Sequence, residues 1–325
     1  MTLTVLMPVY DDWRAAAVVC AALDQAFAAR TGTKARVLLV DDGSTMAPDP
    51  EAFLTALPSG ALTSLQSVEL LRLRRNLGHQ RAIAVGLVYI HQHHPIDAVL
   101  VMDSDGEDRP EDVPRLLDEF ERGEQRHPVF AERRRRVTGL TFKGGYLLYR
   151  MVHRVLTGRG VRIGNFSVIP PSSIANLVVQ SSLWSHYAAT VINARLPMST
   201  IRVDRGYRLS GTSRMNLVAL VAHGLSAVSV FRETVSTRVL LGASAIVTVG
   251  WLLLLALLTE VMRGAALPSW IWMTVGLVGL GVLQIIIVAL AFTLATLASR
   301  EHFNVLPVRD CGLFVLDHRV MLTRP

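Results

Sequence analysis

The 325-residue sequence predicts an α/β domain with a mostly parallel sheet, followed by a hairpin of two transmembrane helices. Three observations predict this class. Short apolar runs alternate with helical patterns up to about residue 238, which is typical of a doubly wound, Rossmann-like sheet. Two long uncharged apolar segments dominate the remainder. The chain is 51% hydrophobic with a mean hydropathy of +0.38, which is too apolar for soluble domains alone.

Four apolar runs in the first part of the chain predict strands. They are Leu3–Val9, Arg36–Val40, Val68–Leu73 and Ala98–Met102. Helical patterns lie near Asp12–Ala29, Gly78–His91 and Glu111–Arg122. Residues 1–10 lack the basic start and cleavage site of a signal peptide, so we interpret them as a buried strand and expect a cytoplasmic globular part. A sheet of this kind binds ligands at the carboxyl ends of its strands.

Arginine supplies nearly all of the positive charge. Lysine plus arginine number 33 against 26 acidic residues, a net charge of +7, and Lys34 and Lys143 are the only lysines. This balance excludes an acidic or disordered protein and fits contact with anionic headgroups or phosphates, although a genome-wide bias toward arginine would look the same. Cys20 and Cys311 are too few for a CxxC metal site or a disulfide framework, so they leave the redox compartment open.

Two segments, Val239–Thr259 and Trp270–Ala298, contain no charged residue and reach roughly the 30 Å of a bilayer core at about 1.5 Å per residue. The alternative is a buried helical hairpin of a soluble protein. Basic residues flank the pair at Arg232, Arg238, Arg300 and His302. By the positive-inside rule both ends are cytoplasmic, and the connection at 260–269 faces outside.

These features divide the chain into four regions. We expect a cytoplasmic α/β domain at 1–210 and a juxtamembrane region at 211–238, within which 217–231 forms an interfacial helix. Two transmembrane helices then lie within 239–299, and a cytoplasmic tail occupies 300–325.

Acidic and other polar residues collect where three predicted strands end. The first strand ends in Pro8, Tyr10, Asp11 and Asp12, the second in Asp41 and Asp42, and the fourth in Asp103 and Asp105. Carboxylates at the end of a buried strand are costly unless they meet a cation or a donor-rich ligand. Their clustering at one sheet edge therefore favours a ligand site.

Asp103 and Asp105 are two residues apart, so both can turn toward one divalent ion where the strand opens into a loop. Hard oxygen ligands suit Mg²⁺ or Mn²⁺. The alternative is an acidic loop that caps the helix after Pro110. An EF-hand is excluded because the sixth position from Asp103 is Asp108, where that loop needs glycine.

Four motifs, in this order, resemble those of the family 2 glycosyltransferases. They are Pro8-Val9-Tyr10, Asp41-Asp42-Gly43-Ser44, Arg75-Asn76-Leu77-Gly78, and the segment from Asp103 to Glu111. With the two terminal spans they look most like the polyprenyl-phosphate glycosyltransferases, such as dolichyl-phosphate mannose synthase and the bacterial undecaprenyl-phosphate sugar transferases. The resemblance covers essentially the whole chain and implies a GT-A fold for the α/β domain.

The resemblance also implies roles for individual residues. Those matching Pro8, Tyr10 and Asp42 line the nucleotide base and ribose, and we add Asp11 and Asp41 to this substrate-binding set. Those matching Asp103 and Asp105 hold a metal ion on the nucleotide diphosphate, which makes them catalytic residues. Asn76 and Gly78 shape the donor pocket or merely cap the next helix, because Leu77 and His79 replace the aromatic and the lysine common in the family.

A further family landmark, Gly-Asp-Phe, is Gly164-Asn165-Phe166 in this chain. Asn165 cannot act as a carboxylate base. The loss of a base has the smallest effect on a reaction with a phosphate acceptor, because a phosphate monoester is already largely ionised. Asn165 therefore either orients the acceptor phosphate, which makes it a catalytic candidate, or marks a degenerate site.

Two arginine-rich segments complete the predicted substrate contacts. Arg133 and Arg136 belong to a basic run before an amphipathic stretch and are expected at the headgroup layer. Arg205, Arg208 and Arg214 surround Gly211-Thr212-Ser213, and Ser213-Arg214 resembles the family's glycine-serine-basic segment, which binds phosphate. The alternative for the first segment is a solvated charge run beside an ordinary core stripe, and the alternative for the second is a positive belt without a ligand. His91, His93 and His94 are better explained as a solvated helix end than as metal ligands.

The resemblance thus implies a metal-dependent, inverting hexosyltransferase of the inner membrane, multi-pass, that serves cell envelope glycans. It would move a sugar from a nucleotide-diphosphate sugar to a polyprenyl phosphate of the undecaprenyl type, using Mg²⁺ or Mn²⁺. One alternative acceptor is a hydroxyl of a lipid-linked glycan, and a non-catalytic membrane scaffold is the alternative without catalysis. The lipid bilayer is an expected partner, nucleic acid is not, and a homo-oligomer is left open.

Overall fold

The computed structural model describes residues 1–30, 32–48, 50–57, 61–133, 151, 154–158, 163–209, 224–264, 268–301 and 305–324. The chain forms two compact units. The first comprises Met1–Thr138, Val161–Val230 and Val305–Pro325, and the second comprises Gly139–Gly160 and Phe231–Asn304.

The first unit is an α/β domain. Its strands are β1 (Thr2–Val9), β2 (Lys34–Asp41), β3 (Leu65–Leu73), β4 (Ala98–Val101), β5 (Val129–Arg133), β6 (Ser167–Ile169), β7 (Ser199–Val203) and β8 (Val315–Thr323). Its helices are α1 (Trp13–Ala28), α2 (Pro50–Ala56), α3 (His79–His93), α4 (Val113–Arg122), α5 (Pro171–Val178), α6 (Tyr187–Asn193) and, late in the chain, α9 (Pro307–Asp310).

The strands form one 8-stranded sheet in the order β7-β5-β6-β4-β1-β2-β3-β8. Its centre, β4-β1-β2-β3, is parallel throughout. Strand β6 runs antiparallel to β4, and β8 runs antiparallel to β3. The strand order reverses between β1 and β4, and the crevice at the carboxyl ends of two such strands is where open α/β sheets bind ligands.

Both faces of the central sheet are buried, which explains why its strands read as nearly continuous apolar runs. Along β1, Leu3, Val5 and Met7 pack into one core cluster, which also contains Phe120 of α4. Leu6 faces the opposite cluster, which contains residues of α3 and α6. Alternate residues of a strand point to opposite faces, so one strand anchors both layers.

The predicted α/β class with a mostly parallel sheet is confirmed, and the four predicted strands correspond to β1 to β4. The segment 300–325, expected to be a tail, instead contains β8, which pairs with β3 from Ser67↔Thr323 to Leu73↔Val315. Its side chains are mostly half-buried or exposed, so it lacks the apolar run that revealed the central strands.

The second unit contains two long helices, α7 (Arg232–Met262) and α8 (Ser269–Glu301). Both are long and apolar enough to cross a membrane. Ala243 of α7 and Ala289 of α8 are buried, whereas large side chains such as that of Trp251 are 67% exposed. Small residues where two helices contact each other, with large apolar residues on their outer surfaces, are typical of helices that lie in lipid. Of the predicted interfacial helix at 217–231, residues 217–223 lie outside the described residues.

Candidate active site

The loop after β4 carries the two aspartates that the sequence predicts as metal ligands. The backbone N–H of Asp103 donates to Asp108 Oδ2 at 2.9 Å, and that of Glu107 donates to Asp105 Oδ1 at 2.9 Å. Burial and the neighbouring acids Asp103 and Glu107 raise the pKa of Asp105, although the Glu107 N–H and the Arg208 charge oppose them. The loop therefore concentrates negative charge at the carboxyl end of a buried strand.

The end of β1 lies directly against this loop. Ser104 Oγ donates to the Pro8 carbonyl oxygen at 2.7 Å. Tyr10, two residues after Pro8, is 36% exposed. Asp11 has φ 54°, and its carboxylate accepts hydrogen bonds from the backbone of Thr45 at 2.7 Å and of Met46 at 3.2 Å. The Asp11 carboxylate therefore connects the loops that follow β1 and β2.

The carboxylates at the end of β2 are occupied by backbone donors. Asp42 accepts from the Leu77 N–H at 2.7 Å through Oδ1 and from the Gly78 N–H at 2.9 Å through Oδ2. Burial raises the pKa of Asp42 in spite of these bonds. Asp41 accepts from the Ser44 N–H at 2.8 Å. Both side chains therefore hold the backbone of the surrounding loops in place.

The start of α3 brings the His79 side chain to the acidic loop. His79 Nε2 lies 3.1 Å from Asp103 Oδ1 and 3.0 Å from Asn165 Nδ2. One ring nitrogen cannot donate to Asp103 and accept from Asn165 at once, so only one of these contacts is a hydrogen bond in either protonation state. Desolvation lowers the pKa of His79, but the charge and hydrogen bond of Asp103 raise it more, for a net increase.

Asn165 is held in place by Gln80, the second residue of α3. Gln80 Nε2 donates to Asn165 Oδ1 at 3.1 Å, while Gln80 Oε1 accepts from the Tyr187 N–H at 2.8 Å. Because β6 runs antiparallel to β4 with Val101↔Ser167 as partners, the start of β6 lies at the end of β4. The sheet topology thus places Asn165 beside Asp103, and Gln80 directs its amide nitrogen toward His79.

The segment after β7 covers the acidic loop. Arg208 binds Asp12 Oδ2 at 2.8 Å and Asp105 Oδ2 at 3.2 Å, and Arg205 forms an ion pair with Glu107. The Leu209 N–H also donates to the Asp105 carbonyl at 2.9 Å. The two predicted phosphate-binding arginines therefore contact carboxylates in this structure.

The carboxylate oxygens at this edge of the sheet are suitable ligands for a hard divalent cation. Asp12 and Asp105 already share one cationic group, the Arg208 guanidinium, so the geometry of the cluster accommodates positive charge between carboxylates. Asp103 lies in the same loop and adds a third carboxylate. An all-oxygen set of this kind is typical of Mg²⁺ and Mn²⁺ sites, which use one or two carboxylates together with substrate phosphates.

Residues 4–169, just over half of the chain, match the family described as Glycosyl transferase family 2. The chain belongs to this family. The matched range contains every strand end described above, from β1 through β6, and therefore the whole cluster except the covering segment 205–209.

Individual relatives resemble this glycosyltransferase over a shorter part of the chain or at lower sequence identity. The undecaprenyl-phosphate 4-deoxy-4-formamido-L-arabinose transferase of Sodalis glossinidius (strain morsitans) is 31% identical over 122 residues, which cover 35% of this chain and 32% of the relative. The chain thus spans about a third of that relative's length.

Among solved structures, glucosyl-3-phosphoglycerate synthase from Mycobacterium tuberculosis in complex with UDP gives a TM-score of 0.48 at 16% identity, covering 72% of this chain and 80% of that one. TarS 1-349 of S. aureus gives 0.43 at 15% identity, covering 74% and 66%.

The structure places some predicted residues of this glycosyltransferase but not others. Arg136, Ser213 and Arg214 lie outside the described residues, and Arg133 ends β5 without a described side chain. Asn76 lies in the loop that Asp42 holds, directly before Leu77 and Gly78.

Sequence reasoning missed His79 and Gln80 as site residues. The signal for His79 was its place in the Arg75–Gly78 region, where the family commonly has a lysine, whereas Gln80 carried no signal. Its role arises from a contact with Asn165, 85 positions away.

Proposed function

We propose that this family 2 glycosyltransferase is a multi-pass membrane enzyme that transfers a hexose-type sugar from a nucleotide-diphosphate sugar to a polyprenyl phosphate of the undecaprenyl type, with inversion at the anomeric carbon. The observation that carries the proposal is the position of Asn165. Gln80 holds this amide beside the acidic loop, at a site where a carboxylate base would otherwise be expected.

Asp103 and Asp105 would hold the cation, with Asp12 nearby. When bound, Mg²⁺ or Mn²⁺ would neutralise the diphosphate and stabilise it as a leaving group. Arg208 already pairs with two of these carboxylates, so it lies close enough to contact the same diphosphate. Pro8, Tyr10 and the loops fixed by Asp11, Asp41 and Asp42 would surround the nucleoside, at the carboxyl ends of β1 and β2.

The side chain of Asn165 fits an acceptor that arrives ionised. A phosphate monoester has a second pKa near about 6 and needs no base to attack, whereas a hydroxyl normally needs one. Gln80 occupies the oxygen of Asn165, which leaves the amide nitrogen as the group available to orient a phosphate oxygen. In this mechanism Asn165 positions the acceptor and removes no proton.

The membrane part of the proposal rests on α7 and α8, whose apolar stretches have mean hydropathies of 2.3 and 2.6. Basic residues flank both outer ends, so we place both termini and the α/β unit in the cytoplasm, at the inner membrane. The Sodalis relative is named for an undecaprenyl-phosphate acceptor, which supports a lipid acceptor for this chain as well.

One observation favours a second acceptor class, a hydroxyl of a lipid-linked glycan. That reaction needs a base near Asn165, and His79 lies 3.0 Å from its amide nitrogen and 3.1 Å from Asp103. A histidine that contacts a carboxylate is a recurring form of general base. The two proposals predict different products from the same protein.

The test uses purified full-length protein in detergent with Mg²⁺ or Mn²⁺ and a panel of nucleotide sugars. One arm offers undecaprenyl phosphate, and the other offers a lipid-linked glycan without a free phosphate monoester. We expect a glycolipid, detected by mass spectrometry, in the first arm only and its loss with EDTA. Product in the second arm alone would select the hydroxyl acceptor, and no product in either arm from protein that also fails to bind nucleotide diphosphates would refute both.

A further inference from the structure

A second cluster of potential metal ligands lies in the α/β unit, outside the candidate active site. Glu69 of β3, His94 immediately after α3, and His318 of β8 each offer one ligand atom, and these atoms lie within 4.8 Å of one another. His318 Nε2 is 3.1 Å and His94 Nε2 is 3.4 Å from the same oxygen, Glu69 Oε2. Three elements distant in sequence therefore converge on one carboxylate oxygen.

We propose that Glu69, His94 and His318 bind one Zn²⁺ ion through a carboxylate oxygen and two imidazole nitrogens, with water as the fourth ligand. Two histidines and a glutamate are an established ligand set for tetrahedral zinc, in which an open fourth position holds water. An ion held there would join the C-terminal strand to β3 and to the end of α3.

The ligand separations match this geometry. Zinc bonds of about 2.0–2.2 Å to nitrogen and oxygen place the corners of a tetrahedron roughly 3.3–3.5 Å apart. The two nitrogen–oxygen distances of 3.1 and 3.4 Å lie close to that range, so an ion would need only small side-chain movements. The 3.4 Å distance is in turn long for a hydrogen bond.

His94 is the most informative member of the cluster. Its side chain is 7% exposed, and its Nδ1 atom is buried without a hydrogen-bond partner among the described residues. The sequence predicts a solvated helix end for His91, His93 and His94. This prediction is wrong for His94, whose side chain points into the protein, whereas His91 and His93 are exposed. A buried imidazole with one long contact to a carboxylate is poorly satisfied by protein atoms alone.

The neighbours of the cluster keep its ligands in place. The Tyr89 ring lies 5.6 Å from the His94 ring, edge-on, and 5.2 Å from the His318 ring. Ser67 Oγ donates to Glu69 Oε1 at 2.8 Å, which leaves Oε2 facing the histidines.

The cluster is separate from the acidic loop of the candidate active site. His79, which contacts Asp103, begins α3, and His94 follows its last residue. The 15 residues of α3 span about 22 Å, so the two sites lie near opposite ends of one helix. Zinc at Glu69 would therefore not take part in sugar transfer.

The test is a Co²⁺ titration of full-length protein in detergent, purified without a polyhistidine tag and freed of metal by chelation. Tetrahedral Co²⁺ with nitrogen ligands absorbs visible light far more strongly than six-coordinate Co²⁺ on oxygen ligands. We expect one equivalent of the strongly absorbing form, displaced by one equivalent of Zn²⁺. His94→Gln and His318→Gln should each weaken binding by at least about 100-fold, since changes even to groups behind the ligands cost 10–100-fold.

Two control variants make the result specific. His91→Gln removes an exposed histidine close to His94, and Asp103→Asn removes a ligand of the other proposed site. Both should keep the strong Co²⁺ spectrum. If His94→Gln or His318→Gln fails to fold, Glu69→Gln replaces it, because glutamine retains an acceptor for Ser67. A wild-type protein without the strong spectrum overturns the proposal whatever the variants do, as does a spectrum that survives loss of any of the three ligands.

Discussion

At the scale of single residues, the structure distinguishes aspartates that contact only loop groups from those that contact cationic or imidazole side chains. Both oxygens of Asp42 accept backbone N–H groups, and Asp11 binds the backbone of Thr45 and Met46. Asp105 accepts one backbone N–H through Oδ1 but pairs with an arginine side chain through Oδ2, and Asp103 contacts a histidine. Side-chain partners can exchange for a metal or a phosphate more easily than backbone partners can, which is why the loop after β4 is the better candidate for the chemistry.

The role proposed for Asn165 predicts a small effect of Asn165→Asp. If the acceptor is an ionised phosphate, restoring a carboxylate supplies no needed base, so kcat/KM for glycolipid formation should change by less than about tenfold. A positioned general base typically contributes 10²–10⁴-fold. A gain of about 100-fold or more would therefore contradict the phosphate mechanism. Asn165→Ala serves as the control, because it removes the amide that orients the acceptor and should lower kcat/KM.

Asp24 of α1 predicts a pH-dependent contribution to stability. Its buried carboxylate accepts hydrogen bonds from the backbone of Thr63, Ser64 and Leu65 and from the Thr63 hydroxyl. Burial alone would raise the pKa of Asp24, but these bonds lower it below 3.8. Hydrogen bonds to charged groups contribute about 1.5–3 kcal/mol, so Asp24→Asn should lower the free energy of unfolding by roughly 2 kcal/mol at pH 7.

The sign of the pH dependence follows from the lowered pKa of Asp24. The stabilisation is present above the unfolded pKa near 3.8 and is lost as pH falls through the lower folded value. Urea unfolding in detergent should show the difference between wild type and Asp24→Asn shrinking below about pH 4. Asp118→Asn, which removes an exposed partner of Arg30, should cost less than about 1 kcal/mol. An equal cost for both variants would contradict this account of Asp24.

At the scale of elements, two loops meet at Gly43. This residue has φ +70°, and a Cβ atom there would lie 2.5 Å from the Asn76 nitrogen and 2.6 Å from the Arg75 carbonyl carbon. Both are backbone atoms, which cannot rotate away. The close approach lets Asp42 reach the Leu77 and Gly78 N–H groups, so the loop after β2 fixes the start of α3 and with it His79.

Gly43→Ala therefore combines backbone strain with a clash. A left-handed non-glycine residue costs about 1–2 kcal/mol, and overpacking adds about 1–3 kcal/mol. We expect the free energy of unfolding to fall by roughly 2–4 kcal/mol and the KM for the sugar nucleotide to rise. Gly32→Ala is the matched control, with φ +89° and nothing within 4 Å of its Cβ position. Similar losses for the two variants, with no change in KM, would contradict a contact between the loops.

Strands with a continuous apolar run and helices with a clear helical pattern could be predicted from the sequence, whereas the outer strands β5 to β8 could not. Strands β1 to β4 are buried on both faces, so their composition alone reveals them. Strand β8 is an edge strand with mostly exposed and half-buried residues, and its partner β3 lies some 245 positions earlier, as the Arg72–Asp317 ion pair shows. No local pattern encodes such a pairing.

The candidate site shows the same division between local and distant signals. Asp103 and Asp105 could be predicted because carboxylates directly follow a buried strand. Asn165 was singled out by resemblance. The Gln80–Asn165 hydrogen bond depends on packing between α3 and the start of β6, which the sequence does not display.

At the scale of the whole molecule, the α/β unit is assembled from three separate stretches of chain. Residues 305–325 return to its sheet after the two long helices, and the central strands β1 to β4 come from the first 101 residues. The edge of β3 is covered by β8, so the helices are an insertion within the folding unit rather than an appendage at its end. Removing everything after residue 231 would therefore also remove the strand that protects this sheet edge.

The central claim is that Asp103 and Asp105 hold a cation that activates a sugar nucleotide for transfer to a lipid phosphate. The most direct measurement is the rate of glycolipid formation by Asp103→Asn and Asp105→Asn relative to wild type, in detergent with saturating Mg²⁺ or Mn²⁺ and with folding checked by circular dichroism. We predict that each variant loses at least about 100-fold in kcat, because metal stabilisation of the leaving group contributes several kcal/mol. Wild-type turnover by either folded variant would contradict the claim.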